Sequence, residues 1–162
     1  MTKEIKTMEH ILFGRLRYLG AWTKLVKLTI FGRECSLMLL FQGDDQGVFD
    51  HNQVLAYQGF FDNLANRIFR IERAAFRYYE VMAAEFRAAL PDPQDAPRLV
   101  PEIKRLEELY PLVTPLELVF PKGRQEPTVG FLADSAWDHQ GGLAVRFEGE
   151  ALVEVGTRDI LL

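Results

Sequence analysis

The strongest hydrophobic pattern in the chain lies in residues 50–90. Apolar residues recur there at alternating steps of three and four, which places one apolar stripe along a helix face. The stripe consists of Val54, Tyr57, Phe61, Leu64, Ile68, Ile71, Ala75, Tyr78 and Met82. A second set widens the apolar arc: Phe69, Phe76, Tyr79, Ala83, Phe86 and Leu90. An arc of this width favours a helix that lies across a sheet or inside a small core. The side chains expected to be buried are Phe61, Ile68, Ile71 and Phe76.

The ends of this segment carry start and stop signals for a helix. Asp50 stands three residues before Gln53, which is the spacing of a capping box with a carboxylate in place of the hydroxyl. Pro91 and Pro93 follow Leu90, and a proline disfavours helical geometry in the residue before it. The sequence therefore predicts a helix over residues 50–90.

Gly59 leaves a second interpretation of the same segment open. A glycine in a helix interior costs roughly 1 kcal/mol relative to alanine. The alternative to one long helix is a short helix that ends near Asn63, followed by a longer helix from about Leu64. The prediction is therefore one long, possibly kinked, central helix.

Residues 11–42 follow a different pattern, in which short apolar runs are interrupted by glycines. This pattern is typical of strands. The turn around Gly32 predicts a hairpin, with residues 37–41 as a central strand covered on both faces. Residues 42–47, with two glycines and two aspartates, are then the loop that leads into the helix.

The C-terminal part of the chain is predicted to be mostly strand. Residues 91–101 hold four prolines and are expected to run extended over the surface without marking a domain boundary. Residues 102–109 have helical spacing and predict a short second helix. The candidate strands are residues 116–120, 129–133, 142–147, 152–155 and 160–162. The fold class is therefore α+β: an antiparallel or mixed β-sheet, made of the N-terminal hairpin and C-terminal strands, packed against the central helix.

Composition indicates one globular domain over residues 1–162. The chain has 48% hydrophobic and 26% charged residues, which is enough to bury a core without a disulfide or a metal. The single cysteine, Cys35, has apolar neighbours and is interpreted as a buried, inert thiol in a reducing cytoplasm. The polar N-terminus lacks the apolar region of a signal peptide, and no apolar run is long enough for a membrane span.

Few residue patterns in the chain indicate chemistry. The three histidines do not have the spacing that brings two imidazoles to one metal ion, so no metal site is predicted. Gly141-Gly142 lacks the lysine and the following helix of a phosphate-binding loop, so no cofactor is predicted either.

Charge is distributed unevenly along a chain with net charge −4. Residues 1–42 hold seven Lys/Arg against three Asp/Glu, whereas residues 126–162 hold two against seven. The C-terminal part is therefore a candidate docking surface for a basic partner, and the whole chain is too acidic for general nucleic-acid affinity.

Four arginines on one flank of the central helix offer a second charged surface. They are Arg67, Arg70, Arg73 and Arg77, which lie three or four residues apart. RNA binding is one interpretation of such a flank. The interpretation favoured here is that these arginines pair with Glu72, Glu80 or neighbouring loops.

One loop brings carboxylates, an imidazole and an indole together within six residues. Asp134, Asp138 and His139 surround Trp137 in a predicted turn between strands. A carboxylate and histidine pair suits general acid and base chemistry, but polar residues in turns commonly bond their own backbone. Because no nucleophile or oxyanion donor is evident in the pattern, no residue is assigned a catalytic role.

Most of the chain resembles a family of small bacterial domains of unknown function. The resemblance is carried by Val129-Gly130-Phe131-Leu132, Trp137-Asp138, Gly142-Leu143-Ala144-Val145-Arg146-Phe147-Glu148 and Val153-Glu154-Val155-Gly156-Thr157-Arg158-Asp159-Ile160. It extends to Trp22, Gln53, Tyr57 and Tyr78-Tyr79. Many members of this group resemble immunity proteins encoded beside polymorphic or contact-dependent toxins. Where relatives have Glu-His-Gly after the Trp-Asp segment, this chain has Gln140-Gly141-Gly142. If the Glu-His pair is catalytic in relatives, this chain has lost it, which argues against an enzyme.

The resemblance implies a cytoplasmic, non-catalytic binding protein that neutralises a cognate toxin domain, possibly a nuclease. It would act as a monomer or homodimer, without nucleic acid or membrane as a partner. The residues expected at the toxin surface are Asp134, Asp138, His139, Glu148, Glu150 and Glu154. Two alternatives remain open: a small hydrolase-like enzyme that uses the Asp138 and His139 loop, and a housekeeping interaction module without a toxin partner.

Overall fold

The computed structural model describes residues 4–162 and shows an α+β fold built on one mixed, eight-stranded sheet. The strands are β1 Thr7–His10, β2 Gly14–Tyr18, β3 Trp22–Ile30, β4 Arg33–Phe41, β5 Val113–Phe120, β6 Thr128–Ser135, β7 Leu143–Glu148 and β8 Ala151–Gly156. Their spatial order is their order in the chain. Every neighbouring pair is antiparallel except β4 and β5. These two strands are parallel because the helical segment between them carries the chain back to the end of the sheet where β4 began.

The hairpin predicted around Gly32 is confirmed. Phe31 and Gly32 both have positive φ angles, of 50° and 75°, as in the two-residue turns that match the twist of antiparallel strands. Phe31 adopts this unusual conformation while its N–H donates to the Glu72 carboxylate over 2.6 Å. The strand β4 is central, as predicted, but only one of its faces is fully covered. Leu37, Leu39 and Phe41 are buried, whereas Met38 and Leu40 on the other face are half-buried.

Two helices, and not one, occupy the segment predicted as a single long helix. They are α1 His51–Asp62 and α2 Leu64–Ala88. The chain leaves helical geometry at Asn63, whose side-chain amide donates to the Gly59 carbonyl. The break therefore falls where the alternative interpretation put it, while Gly59 itself stays inside α1. The predicted capping box is confirmed, since the Asp50 side chain accepts from the Gln53 N–H and the Gln53 side chain accepts from the Asp50 N–H.

The buried line on α2 follows a spacing of four residues. It consists of Arg67, Ile71, Ala75, Tyr79 and Ala83. Ile71 is fully buried, as predicted, whereas Phe61, Ile68 and Phe76 are only half-buried. Phe69, assigned to the widened apolar arc, is 56% exposed. The apolar arc is therefore wider than the surface that α2 packs against the sheet.

Two predictions for the connecting segments are wrong in detail. Residues 91–101 are not simply extended, because they contain a 3-10 turn, Pro93–Asp95, and a short helix, α3 Ala96–Leu99. The helix predicted over residues 102–109 is replaced by single 3-10 turns at Leu106–Glu108 and Tyr110–Leu112. Prolines stand at the first turns of three of these pieces, Pro93–Asp95, Ala96–Leu99 and Tyr110–Leu112, but each piece is short.

The predicted last strand, residues 160–162, is also wrong. Arg158–Leu161 forms a 3-10 turn that folds back over the sheet, where the Leu161 side chain lies against Gly130 of β6. A Cβ on Gly130 would come within 2.6 Å of Leu161 Cδ2, so the glycine leaves room for this contact. Conversely, β1 was not predicted, because its residues are polar and only partly covered.

The core lies on the face of the sheet that α1 and α2 cover. Its centre is a stack of Phe13, Phe41 and Phe120, whose neighbouring rings are 4.1 Å and 4.8 Å apart between centroids. Tyr57 of α1 packs edge-on against Phe13.

Cys35, expected to be buried, is half-buried and free. Within residues 4–162, no helix combines the length and hydrophobicity needed to cross a membrane.

Candidate binding groove

The loop predicted as the best chemical cluster does bring Asp134 and His139 together. His139 Nδ1 lies 3.0 Å from Asp134 Oδ1, and the two side chains are 72% and 39% exposed. Ser135 is buried, and its hydroxyl donates to the backbone carbonyl of Asp138. The hydroxyl therefore supports the turn and does not face the imidazole. Across residues 4–162, no group of three or more metal-ligating side chains lies close enough to hold an ion.

Asp138 has a structural contact of its own in this turn. Its Oδ1 accepts from the Gly141 N–H at 2.9 Å, and its backbone carbonyl accepts from the Gly142 N–H at 2.8 Å. Gly142 has a φ of 67°, a conformation that glycine adopts without steric cost. The carboxylate is therefore committed to holding the connection between β6 and β7, as turn aspartates commonly are.

Stability measurements distinguish the contribution of Asp138 to the free energy of unfolding from that of His139. We expect Asp138→Ala to lower the free energy of unfolding by about 1 kcal/mol, because the Gly141 N–H loses its acceptor. We expect His139→Ala to change it by less than about 0.5 kcal/mol, because an exposed ion pair contributes little. Urea denaturation at neutral pH measures both values. A larger loss for His139→Ala would show that the exposed pair, and not the turn, stabilises the loop.

The remaining acidic residues predicted at the toxin surface lie elsewhere on the sheet. Two of them form ion pairs with Arg146. Glu154 Oε2 lies 2.9 Å from Arg146 Nη2, and Glu148 Oε1 lies 3.4 Å from Arg146 Nη1. Glu150 is exposed in the turn between β7 and β8. The strand β7 runs from Leu143, after the loop around His139, to Glu148. These five residue steps span about 17 Å at 3.3 Å per residue. The structure therefore places Asp134, Asp138 and His139 at one end of these strands, Glu148 and Glu150 at the other end, and Glu154 between them, opposite Arg146.

A groove lies between α2 and β8 on the helix-covered side of the sheet. It encloses about 670 Å³, within the range of ligand pockets. It is lined by Phe69, Arg70, Arg73, Ala74, Arg77, Tyr78, Val81, Leu152 and Val155. The lining combines three arginines with apolar side chains and contains no acidic residue. The groove therefore has a positive, partly apolar character.

The end of the groove nearest the sheet is held by aromatic contacts of Arg70, which lines the groove, and of Arg67, which is buried beside it and is not part of the lining. The guanidinium carbons of Arg67 and Arg70 lie 4.8 Å and 5.3 Å from the centroid of the Phe147 ring. Arg67 also donates to the Gly149 carbonyl, and Arg70 donates to the Glu150 carbonyl. Burial lowers the pKa of the Arg67 guanidinium, and the neighbouring charge of Arg70 lowers it further. These two side chains form the fixed end of the groove.

The other two groove arginines extend toward solvent. Arg73 lies over the Phe69 ring at 5.7 Å, and Arg77 is exposed. None of the ion pairs formed within residues 4–162 includes either of them. Of the contacts predicted for the four arginines, those with neighbouring loops are confirmed for Arg67 and Arg70. The Glu72 carboxylate accepts from the backbone of Phe31 instead, and Glu80 takes part in none of the ion pairs found within residues 4–162. The guanidinium groups of Arg73 and Arg77 are therefore available to a carboxylate from outside the chain.

The strand beside the groove, β8, lies at the edge of the sheet. Its pairing with β7 is irregular, since Arg146 pairs with Glu154 and Phe147 pairs with Leu152. Val153 is left as an extra residue and is 43% exposed. A bulge of this kind bends an edge strand and interrupts its ladder of backbone groups. A partner would therefore contact the groove through side chains and not by adding a strand.

Comparison with known proteins places the chain in a family. The model of a domain of unknown function, DUF6985, matches residues 12–162. The chain belongs to this family. No curated protein and no solved structure shows significant similarity to it. The match confirms the resemblance to a domain of unknown function, whereas the further resemblance to immunity proteins remains a hypothesis.

The groove of this DUF6985 domain was not predicted as a site, although its arginines were noted. The spacing of Arg70, Arg73 and Arg77 places them on one flank of α2. Two features of the groove could be seen only in the folded chain. Leu152 and Val155 of β8 lie beside α2, and the Glu72 carboxylate bonds to the Phe31 N–H. The exposure of Phe69 was not predicted either, because periodicity does not distinguish a core position from a groove wall.

Proposed function

We propose that this DUF6985 domain is a non-catalytic protein-binding domain and that the groove between α2 and β8 is its contact surface. The observation that carries the proposal is the set of groove arginines without an acidic partner, set among exposed apolar side chains. A matching partner segment carries two or more carboxylates and at least one apolar side chain.

Preorganisation supports a binding role for these arginines. Stacking on Phe147 and Phe69 restricts the guanidinium groups before a partner arrives. Less side-chain entropy is then lost on binding, which leaves more of the interaction energy for affinity. Arginine and aromatic residues are also enriched among residues that dominate interface energies. A protein is favoured over RNA because the chain has a net charge of −4 and the groove has an apolar wall.

We further propose that the partner is a toxin domain, as the sequence resemblance implies. Such an immunity protein blocks its toxin by presenting a rigid, charged and shape-complementary surface. Glu150 lies next to the fixed end of the groove, because its carbonyl accepts from Arg70. The groove and the turn after β7 together present both signs of charge to one partner. A basic toxin surface would meet the acidic turn, and an acidic segment would enter the groove.

Charge reversal in the groove tests this proposal. We expect Arg73→Glu with Arg77→Glu to weaken binding to the toxin domain encoded beside this gene by at least about tenfold per arginine. The reason is that each reversal replaces an attraction with a repulsion at an arginine that makes no ion pair within residues 4–162. Isothermal titration calorimetry measures the affinity, and survival of toxin-expressing cells measures protection.

The matched comparison is Glu148→Lys with Glu150→Lys at the acidic turn. A larger effect from this pair would move the interface to the ends of β7 and β8 and remove the groove from the proposal. Full binding by both double variants would exclude the two surfaces together. Absence of any binding between the wild-type chain and the neighbouring toxin domain would end the immunity hypothesis, while binding of another acidic protein in the groove would leave the protein-binding role intact.

A further inference from the structure

The face of the sheet opposite α1 and α2 carries a row of side chains with a simple charge pattern. Leu25 of β3 pairs with Met38 of β4, and Met38 pairs with Glu117 of β5. Arg15 of β2 continues the row on the other side of Leu25, since Arg17 pairs with Thr23 and antiparallel register then places Arg15 beside Leu25. A cation, two apolar side chains and an anion therefore lie in line across four strands.

This row is open to solvent. Leu25 is 66% exposed, Arg15 is exposed, and Met38 and Glu117 are half-buried. Arg15 and Glu117 take part in none of the ion pairs found in the described chain, residues 4–162. The C-terminal 3-10 turn covers this face only farther along, where Leu161 lies on Gly130 of β6. The surface around this row is consequently uncovered, whereas Thr23 and Val119, farther along β3 and β5 on the same face, are buried.

We propose that this open face binds a second copy of the same chain. The twofold axis of this dimer lies between the two facing sheets, parallel to the strands and above the boundary between β3 and β4. It places each end of the row in one copy opposite the other end of the row in the second copy. It places Arg15 of each copy opposite Glu117 of the other and Leu25 of each copy opposite Met38 of the other. The result is an isologous interface with two symmetric ion pairs on either side of a small apolar centre.

The charge pattern selects this arrangement over its main competitor. A twofold axis perpendicular to the strands would place Arg15 opposite Arg15 and Glu117 opposite Glu117, and like charges in such contact are repulsive. The selected axis also keeps the strands of the two copies nearly parallel to one another, which suits the aligned packing of twisted sheets at an angle of about 30°. The groove between α2 and β8 stays outside this interface, because it lies on the helix-covered side.

Complementary charge reversal gives a sharp test. Sedimentation equilibrium of the full chain, at concentrations up to about 100 μM, detects dimers with dissociation constants in the micromolar range. We expect wild type to sediment at twice its 18.6 kDa mass. We expect Arg15→Glu alone and Glu117→Arg alone to be monomers, because each creates two like-charge contacts. An equimolar mixture of the two variants should recover the dimer, because every cross-copy contact then joins opposite charges.

Two controls complete the experiment. Arg98→Glu changes the same charge on α3, outside the sheet, and should leave the dimer unchanged. Leu25→Ser removes the exposed apolar centre and should shift the equilibrium toward monomer without a change in charge. A monomeric wild type, single reversals that remain dimeric, or a mixture that stays monomeric would each overturn the proposal. Circular dichroism melts confirm that each variant is folded. The association state measured in this experiment does not depend on the toxin partner.

Discussion

Replacing Ile71 with alanine is expected to lower the free energy of unfolding by about 2–5 kcal/mol. The side chain is fully buried on α2, on the line of residues that faces the sheet. Truncation removes its apolar contacts and leaves a cavity that the surrounding sheet and helices fill only in part. Urea denaturation with a fluorescence or circular dichroism signal measures the change.

Val81 offers a matched control on the same helix. Its side chain is 78% exposed, so Val81→Ala is expected to change the free energy of unfolding by less than about 0.5 kcal/mol. A loss below 0.5 kcal/mol for Ile71→Ala would mean that the central part of α2 does not pack in the core. In that case the position of the groove arginines relative to β8 would also need revision, because α2 carries both sets of residues.

Replacing Gln53 with leucine is expected to cost about 2–4 kcal/mol. Gln53 is fully buried, and its Nε2 donates to the carbonyls of Gln42 and Phe120, at 2.7 Å and 3.0 Å. Its Oε1 accepts from the Asp50 N–H at the start of α1. Leucine has a similar volume, but it leaves the Gln42 carbonyl and the Asp50 N–H without these partners. Each unsatisfied group costs about 1–3 kcal/mol, while Phe120 keeps its bond from the Gln42 N–H.

Gln58→Leu makes the same chemical change on the same helix at a half-buried position. We expect it to alter stability by less than about 0.5 kcal/mol. Equal losses for the two variants in urea melts would indicate a general effect of leucine on α1 and not the loss of the Gln53 contacts. A specific loss at Gln53 would show that one side chain joins the start of α1 to the ends of β4 and β5.

Gln53 also shows how far sequence reasoning reached at this junction. The capping-box spacing predicted its contact with Asp50, because capping depends on residues three positions apart. The contacts with Gln42 and Phe120 were not predicted, since Phe120 is 67 residues away in the chain. A buried glutamine is favourable only when such distant carbonyls are in place to accept its protons.

The acidic residues of the C-terminal strands illustrate the same limit for the candidate site. Their excess of negative charge is visible in the sequence, and it predicted a surface for a basic partner. In the fold, Arg146 lies between Glu148 and Glu154 and neutralises part of that charge. Arg73 and Arg77, in contrast, take part in none of the ion pairs among residues 4–162. Counting charges along a segment cannot show which of them meet across strands.

The elements with local causes could be predicted from the amino-acid sequence. Alternation, the turn at Gly32, the cap at Asp50 and the prolines after Leu90 act within a few residues, and they predicted the hairpin, most strands and the helical segment. The folded structure was needed to choose the broken helix at Asn63 over the continuous one, and it revealed the 3-10 turn at the C-terminus and the face of the sheet that stays open. It also decided the groove, because a groove needs α2 and β8 side by side. These features depend on packing between distant segments, and packing energy outweighs local preference once the chain has folded.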